Sequence, residues 1–366
     1  MGRKIYLVRH GKPNTEGGKK RCIGVTDLHL SDLGKKQAEK MGVWLASRNI
    51  KKIYSSPLSR CLETAGVIRD VMKEEGVTTS AIWVRENLHE MSVGLWENMT
   101  FGDIKAQYPK EYEARGENLG YFAPPGGESF AEAGERFEEC LDEIRNESKE
   151  DILVVAHAGV IRGYLCRLLG LSANEEQIFP QPYGGVTILE EKDKKLSIAE
   201  VGWKPYTLLE QEDLNELYKE CGTPENVVRH MVGVADFLDE IHDSLSEERR
   251  DRYNWEVLRK AALLHDVRRT DKNHAKTSAD FLVKEGYPEL GELVRYHHDS
   301  GMQEGELTAE EILFYADKRV QEDKVVSVEE RFAASKKKCL TEKALEKHSR
   351  MYAKTKQIEE KIYQCS

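Results

Sequence analysis

Three short apolar runs, at residues 5–8, 53–54 and 152–155, mark the first half of this 366-residue chain, and longer amphipathic stretches at 32–48 and 129–145 separate them. Short runs with no polar face suit strands covered on both sides, so the alternation predicts an α/β domain around a buried, mostly parallel sheet. A further strand-like run at 185–189 is followed by charged residues and another short apolar run near Ile198. Beyond Trp203 and Pro205 only helical spacing remains. A chain of this length exceeds the usual span of one core. The change of pattern places a seam between about Lys204 and Cys221, giving one domain at 1–205 and an all-α domain at 221–366.

In the second part, Thr223 with Pro224 reads as a helix start, a capping side chain followed by a first-turn proline. Val227, Met231, Val234, Leu238 and Ile241 supply that helix with an apolar face. A second helix is expected from Trp255 to His265, a third from His274 to a stop at Gly286, and a fourth from Pro288. Thr308 and Glu311 form a capping box for a fifth. The densely charged tail, 341–364, reads as a solvated helical face, and the lysines at 336–338 are the one biased stretch.

A formal net charge of -10 and a pI near 5.7 argue against a nucleic-acid partner, which demands clustered Lys and Arg. Small anionic substrates stay compatible, because a few local arginines bind phosphate whatever the net charge. The seven cysteines are scattered and odd in number, which suits reduced thiols. No segment approaches about twenty continuous apolar residues. The expectation is a cytoplasmic protein open to small anionic substrates, with no membrane or nucleic-acid partner; the residues do not set an oligomeric state.

Two histidines carry the chemistry of the first half. Arg9-His10-Gly11 follows one apolar run directly, and His157-Ala158-Gly159 follows another. Ligands of open α/β sheets collect at the carboxyl ends of strands, so both imidazoles are expected at one crevice. A third strand leads through Ser55-Ser56-Pro57-Leu58-Ser59 to Arg60 at a helix start, where backbone donors favour an anion. A single strand-end histidine is as often a satisfied structural residue; two, joined by Arg9 and Arg60, are less easily explained that way. Spacing alone leaves Glu86, Glu90 and Glu97 open as the acid, and Glu128 open between substrate contact and helix cap.

These runs, together with Gly24-Val25-Thr26-Asp27, Leu30-Ser31, Gly34, Glu63-Thr64-Ala65, Leu88-His89-Glu90, Gly94, Trp96-Glu97 and Gly126-Gly127-Glu128-Ser129, resemble the histidine phosphatase superfamily. The resemblance implies a three-layer α/β, phosphoglycerate mutase-like fold. Gly24 to Asp27 and Pro124-Pro125-Gly126-Gly127 direct the likeness to the alpha-ribazole phosphatase branch. Lys12-Pro13 departs from the family pattern, and Glu16 stands where mutases usually place an asparagine. The resemblance implies His10 as nucleophile, Arg9 and Arg60 as phosphoryl ligands, His157 as a further donor and Glu90 as acid and base. It also implies substrate contact by Gly24 and Thr26, and chemistry without a cofactor.

The second half collects His230, Leu264-His265-Asp266, His274, His297 and Asp317 on helical stretches. Each alone is commonly a packed or surface residue, but neutral imidazoles with carboxylates make up the usual donor set for a first-row divalent ion. These residues resemble the HD superfamily of metal-dependent phosphohydrolases. The resemblance implies one or two ions (Fe, Mn, Zn or similar) held by His230, His265, Asp266 and Asp317, with His274 and His297 as extra ligands and His298 in reserve. Arg268 and Arg269 stand where a phosphate could reach them, but exposed helix-end arginines are common and the structural reading is favoured; Lys318 is open between substrate phosphate and solvent. The leading expectation is a bifunctional phosphohydrolase acting on an alpha-ribazole 5'-phosphate-like monoester and on a nucleotide-like compound. The alternatives are a ligand-sensing HD module, a mutase and, less favoured, a protein phosphohistidine phosphatase.

Overall fold

A computed structural model describes residues 2–15, 21–78, 81–298, 305–337 and 339–363; Glu16, Lys338, Gln364 and Cys365 lie outside the described residues. The chain divides into two compact units, Met1–Lys204 and Pro205–Ser366.

The first unit contains β1 (Arg3–Arg9), α1 (Asp32–Ala46), β2 (Ile50–Ser55), α2 (Ser59–Glu74), β3 (Ile82–Val84), α3 (Phe101–Gln107), α4 (Pro109–Glu117), α5 (Phe130–Glu147), β4 (Asp151–Ala156), α6 (Ala158–Leu169), β5 (Val186–Lys192) and β6 (Lys195–Trp203). Its sheet runs β3-β2-β4-β1-β5-β6. The strand period of two sends alternate residues of β1 to opposite faces. Ile5 and Leu7 pack with Phe137, Leu141 and Ile144 of α5 and with Val160 and Ile161 of α6, whereas Tyr6 and Val8 pack with Met41 and Leu45 of α1 and Ile68 and Met72 of α2. The result is a helix-sheet-helix sandwich. The β1–β4, β2–β4 and β2–β3 pairs are parallel, as the short buried runs require. The β1–β5 and β5–β6 pairs are antiparallel; in the second, Asp193 and Lys194 turn the chain back on itself with φ of 52° and 66°. Two consecutive positive φ values are the signature of a two-residue hairpin.

The second unit holds α7 (Gln211–Cys221), α8 (Glu225–Ser244), α9 (Glu247–Arg250), α10 (Trp255–Ala262), α11 (His274–Lys284), α12 (Pro288–Arg295), α13 (Ala309–Arg319), a two-strand hairpin of β7 (Val320–Gln321) and β8 (Lys324–Val325), α14 (Val328–Lys336) and α15 (Glu342–Tyr363). Four features depart from expectation. Helix α7 precedes Cys221 and buries Leu214, Leu217 and Tyr218 in this unit's core, so the unit begins ahead of the expected start. Thr223 does not cap α8: its hydroxyl donates to Val267 O, and Pro224 takes the cap position. Helix α10 stops at Ala262 rather than His265, leaving the His265-Asp266 pair in the turns that follow. The charged tail is also more than a solvated face, since Thr355, Ile358 and Ile362 of α15 are buried. The capping box at Thr308 and Glu311 forms as expected.

Two candidate functional sites

At the carboxyl end of the sheet, His10 N bonds Ala156 O and Ser56 N bonds Val155 O, each at 3.0 Å, so three chain segments meet there. Gly11 lets the start of α1 come close beside His10: a Cβ on it would stand 2.3 Å from Gly34 O. His10 is 5% exposed and His157 is fully buried, with ring centroids 5.0 Å apart. His10 Nδ1 lies 2.7 Å from Gly11 O. A carbonyl only accepts, so Nδ1 carries the proton and Nε2 keeps a free lone pair. Burial, then the charges of Arg9 and Arg60, hold the His10 pKa well below the ordinary imidazole value. Burial first, and then the neighbouring His10 and arginines, do the same to His157, whose Nε2 lies 2.8 Å from Ser56 Oγ.

The two arginines are held differently. Arg60, 2% exposed at the start of α2, donates to Thr26 O at 2.8 Å and Gly24 O at 2.7 Å. Arg9 donates to Gln181 O, and its guanidinium carbon lies 3.6 Å from the Tyr183 ring centroid. Tyr183 also stands 5.6 Å from the His10 ring. Neither Gln181 nor Tyr183 was singled out from the sequence, where they sit in an unremarked Gln-Pro-Tyr-Gly-Gly loop.

The three open carboxylates separate cleanly. Glu90 accepts from Gly159 N and Val160 N, both at 3.1 Å, in the first turn of the helix that begins beside His157. Glu86 is exposed. Glu97 accepts from Val25 N at 2.7 Å, Gly24 N at 3.1 Å, Thr26 N at 3.2 Å and Thr26 Oγ1 at 2.5 Å. The backbone groups of Gly24 and Thr26, expected at substrate, thus face Glu97 on one side and Arg60 on the other. Glu128 does not cap α5, a role that Ser129 takes; it pairs with Arg136 and accepts from Ser92 N.

In the second unit, His265 Nδ1 bonds Ala262 O at 2.7 Å, His297 Nδ1 bonds Val294 O at 2.6 Å, and His230 Nδ1 bonds Glu322 O at 3.1 Å in the β7–β8 hairpin. Each bond fixes the tautomer and leaves Nε2 basic, which is how ligating imidazoles are oriented. Asp266 lies between two sets. Its Oδ2 is 3.8 Å from His265 Nε2, and its Oδ1 is 3.3 Å from His274 Nε2 and 3.4 Å from His297 Nε2. Asp317 Oδ1 is 3.1 Å from His230 Nε2 and 3.7 Å from His265 Nε2. Burial would raise the Asp317 carboxyl, but Lys318 and the imidazoles outweigh it and hold the group well below the usual range.

Two groups of donors therefore form, an inner one of His230, His265 and Asp266 and an outer one of Asp266, His274, His297 and His298, each with its atoms within 4.8 Å of one another. His298, the reserve candidate, stands against His274 in the outer group. Within this cluster His265 Nε2, Asp266 Oδ1 and His297 Nε2 are buried with no hydrogen bond among the described residues. Unsatisfied buried lone pairs are costly, and converging ones fit a cation.

A family model described as the histidine phosphatase superfamily (branch 1) matches residues 5–204, and one described as the HD domain matches 227–335. The chain belongs to the histidine phosphatase superfamily, with an HD domain behind it. Human 6-phosphofructo-2-kinase/fructose-2,6-bisphosphatase 3 is 32% identical over 175 residues, 47% of this chain and 31% of that protein. Phosphoserine phosphatase 1 of Hydrogenobacter thermophilus is 28% identical over 195 residues, 52% of this chain and 88% of that protein. The crystal structure of the alpha-ribazole phosphatase from Shigella flexneri shares 23% identity at a TM-score of 0.48, covering 54% of this chain and 96% of that one. The chain spans about a third of the length of the bifunctional kinase-phosphatase relatives it matches. No helix among the described residues is long and apolar enough to cross a membrane.

Proposed function

We propose that the chain is a two-site phosphohydrolase whose first unit cleaves a small phosphomonoester through a phosphohistidine on His10. The observation that carries this is the Nδ1 bond to Gly11 O, which leaves Nε2 unprotonated on a buried ring that feels the charges of two arginines and lies beside a second imidazole. Nε2 attacks phosphorus, and the bond from phosphorus to the ester oxygen breaks. Arg9, Arg60 and His157 donate to the equatorial oxygens as charge spreads over them in the transition state. Glu90 gives its proton to the departing alkoxide. It then takes a proton from the water that displaces the phosphohistidine nitrogen, so phosphate leaves and both residues return to their starting states.

The substrate class follows from the branch resemblance: an alpha-ribazole 5'-phosphate-like monoester. The relatives' names, a fructose bisphosphatase and a phosphoserine phosphatase, support a small phosphorylated metabolite without selecting one.

For the second unit we propose a divalent metal held by His230, His265, Asp266 and Asp317, with the outer set of Asp266, His274, His297 and His298 available to a second ion. A metal there supplies Lewis-acid stabilisation of a phosphoryl oxygen and activation of water. The chain's own part is to hold the donors in one tautomer and keep the site dry. The unit is proposed to act on a nucleotide-like phosphate compound in the cytoplasm.

A phosphatase screen over a metabolite panel tests both halves, using wild type, His10→Ala and Asp266→Ala with and without chelator. His10→Ala should abolish only the chelator-insensitive activity, and Asp266→Ala only the chelator-sensitive one. A single activity lost to both treatments would contradict two independent sites. A panel without any chelator-sensitive turnover would favour a sensing role for the HD domain.

A further inference from the structure

Of the two arginines that follow the His265-Asp266 pair, one is tied away and the other is not. Arg268 Nε pairs with Asp271 at 2.7 Å, and its guanidinium lies over Phe281. Arg269 turns to the metal-type cluster: its Nη1 is 2.6 Å from His274 Nε2 and 3.4 Å from Asp266 Oδ2. The backbone fixes this aim, since Arg269 N bonds Asp266 O at 2.8 Å in the tight turn. Among the described residues Arg269 makes no hydrogen bond or ion pair to His230, His265 or Asp317; its hydrogen bond is to His274, which belongs to the outer group alone, and its ion pair is to Asp266, which both groups share.

An imidazole nitrogen has one lone pair in the ring plane. At His274 Nε2 that pair either accepts the Arg269 N–H or binds a metal, and cannot do both. The guanidinium is permanently charged, so protonation changes at neutral pH cannot remove it. A cation placed in the outer group would also meet that charge at close range, where repulsion is weakly screened. The side chain can leave: 44% of its surface is exposed, so its displaced state is solvated.

We propose that Arg269 is a built-in competitor for the outer metal position, so that the inner position fills first and the outer one fills as the guanidinium is drawn off. A phosphate group is suited to draw it, through a forked, charge-assisted pair. Metal at the outer position and phosphate at Arg269 then favour one another, each tightening the other by the same factor. This rests on the metal-binding function proposed above.

The test is calorimetric titration of the metal-free full chain with Mn2+, with bound metal counted after gel filtration. Wild type should show a tight step and a weak one, and His274→Ala should lose the weak step. In Arg269→Gln the weak step should tighten by at least about tenfold, the order of one hydrogen bond to a charged group. Arg268→Gln should leave both steps at wild-type values. Inorganic phosphate should tighten the weak step more in wild type than in Arg269→Gln. Equal second-step affinities in wild type and Arg269→Gln, or an equal phosphate response, would overturn the competitor. If wild type and Arg269→Gln both bind no Mn2+ at all, the metal site itself is refuted and the competitor with it.

Discussion

Replacing Glu97 by Ala should disable the phosphatase site without touching a residue proposed to contact phosphate. The Glu97 carboxylate collects four donors from residues 24–26, and the carbonyls of Gly24 and Thr26 in turn hold Arg60. Hydrogen bonds to a charged acceptor contribute roughly 1.5–3 kcal/mol each. The Val25 amide lies on an exposed edge and regains water, which leaves the three part-buried donors of Gly24 and Thr26 unpaired, a loss of roughly 1–3 kcal/mol each in local stability. Once the strap loosens, Arg60 loses the two acceptors that orient its remaining N–H groups. A misplaced oxyanion donor costs on the order of 100-fold in rate. We therefore expect kcat/KM of the chelator-insensitive activity to fall about 100-fold, and product inhibition by inorganic phosphate to weaken in parallel. Glu97→Gln, which keeps one acceptor oxygen, should retain an intermediate rate. Stopped assays below the melting temperature, with the folded fraction monitored by circular dichroism, separate this effect from unfolding. A Glu97→Ala protein with wild-type kcat/KM would refute the strap.

Acid should destabilise the first unit earlier than carboxylate titration would. His10 and His157 stay neutral when folded but protonate near 6.5 when unfolded. Their folded pKa values are depressed, so the stability present above 6.5 is lost as pH falls below it, by at most about 2.7 kcal/mol per pH unit for two protons. Melting temperatures recorded between about pH 7 and pH 5 check this, and a flat profile would contradict it. In the second unit, Lys361 donates to the buried Glu311 carboxylate at 2.9 and 3.1 Å. Lys361→Met strands that carboxylate and should cost about 3 kcal/mol, the low end for a broken buried pair because Lys361 keeps 21% of its side chain exposed. Urea unfolding followed by a probe in this unit measures it, and an unchanged midpoint would detach α15 from the core.

The strand-end histidines were legible because a buried strand and a glycine turn leave local marks, as did the capping box at Thr308. The β5–β6 hairpin was not, since Asp193 and Lys194 adopt positive φ without the Asn-Gly or Asp-Gly pair that signals it. Helix α7 was hidden by charge: Leu214, Leu217 and Tyr218 keep helical spacing but lie among Glu212, Asp213, Glu216, Lys219 and Glu220. Likewise Ile358 and Ile362 are sparse apolar positions in a charged helix, and their burial depends on a partner surface far away in sequence. At the sites, residue types were readable, whereas hydrogen-bond commitments were not. Gly24 and Thr26 turn to Glu97 and Arg60 through contacts spanning 71–73 and 34–36 residues, which no local pattern reports. His298 joined the outer group because α12 ends at Arg295 and the following turn, rather than a continuing helix, sets its direction.

The most direct measurement is to quench the chain in alkali during turnover of a small phosphomonoester and map phosphorus by peptide mass spectrometry. The account predicts acid-labile, alkali-stable phosphate on the His10 peptide, accumulating further in Glu90→Gln and missing from His10→Ala. Steady hydrolysis with no phosphorus on that ring, or equal turnover by His10→Ala, would contradict it.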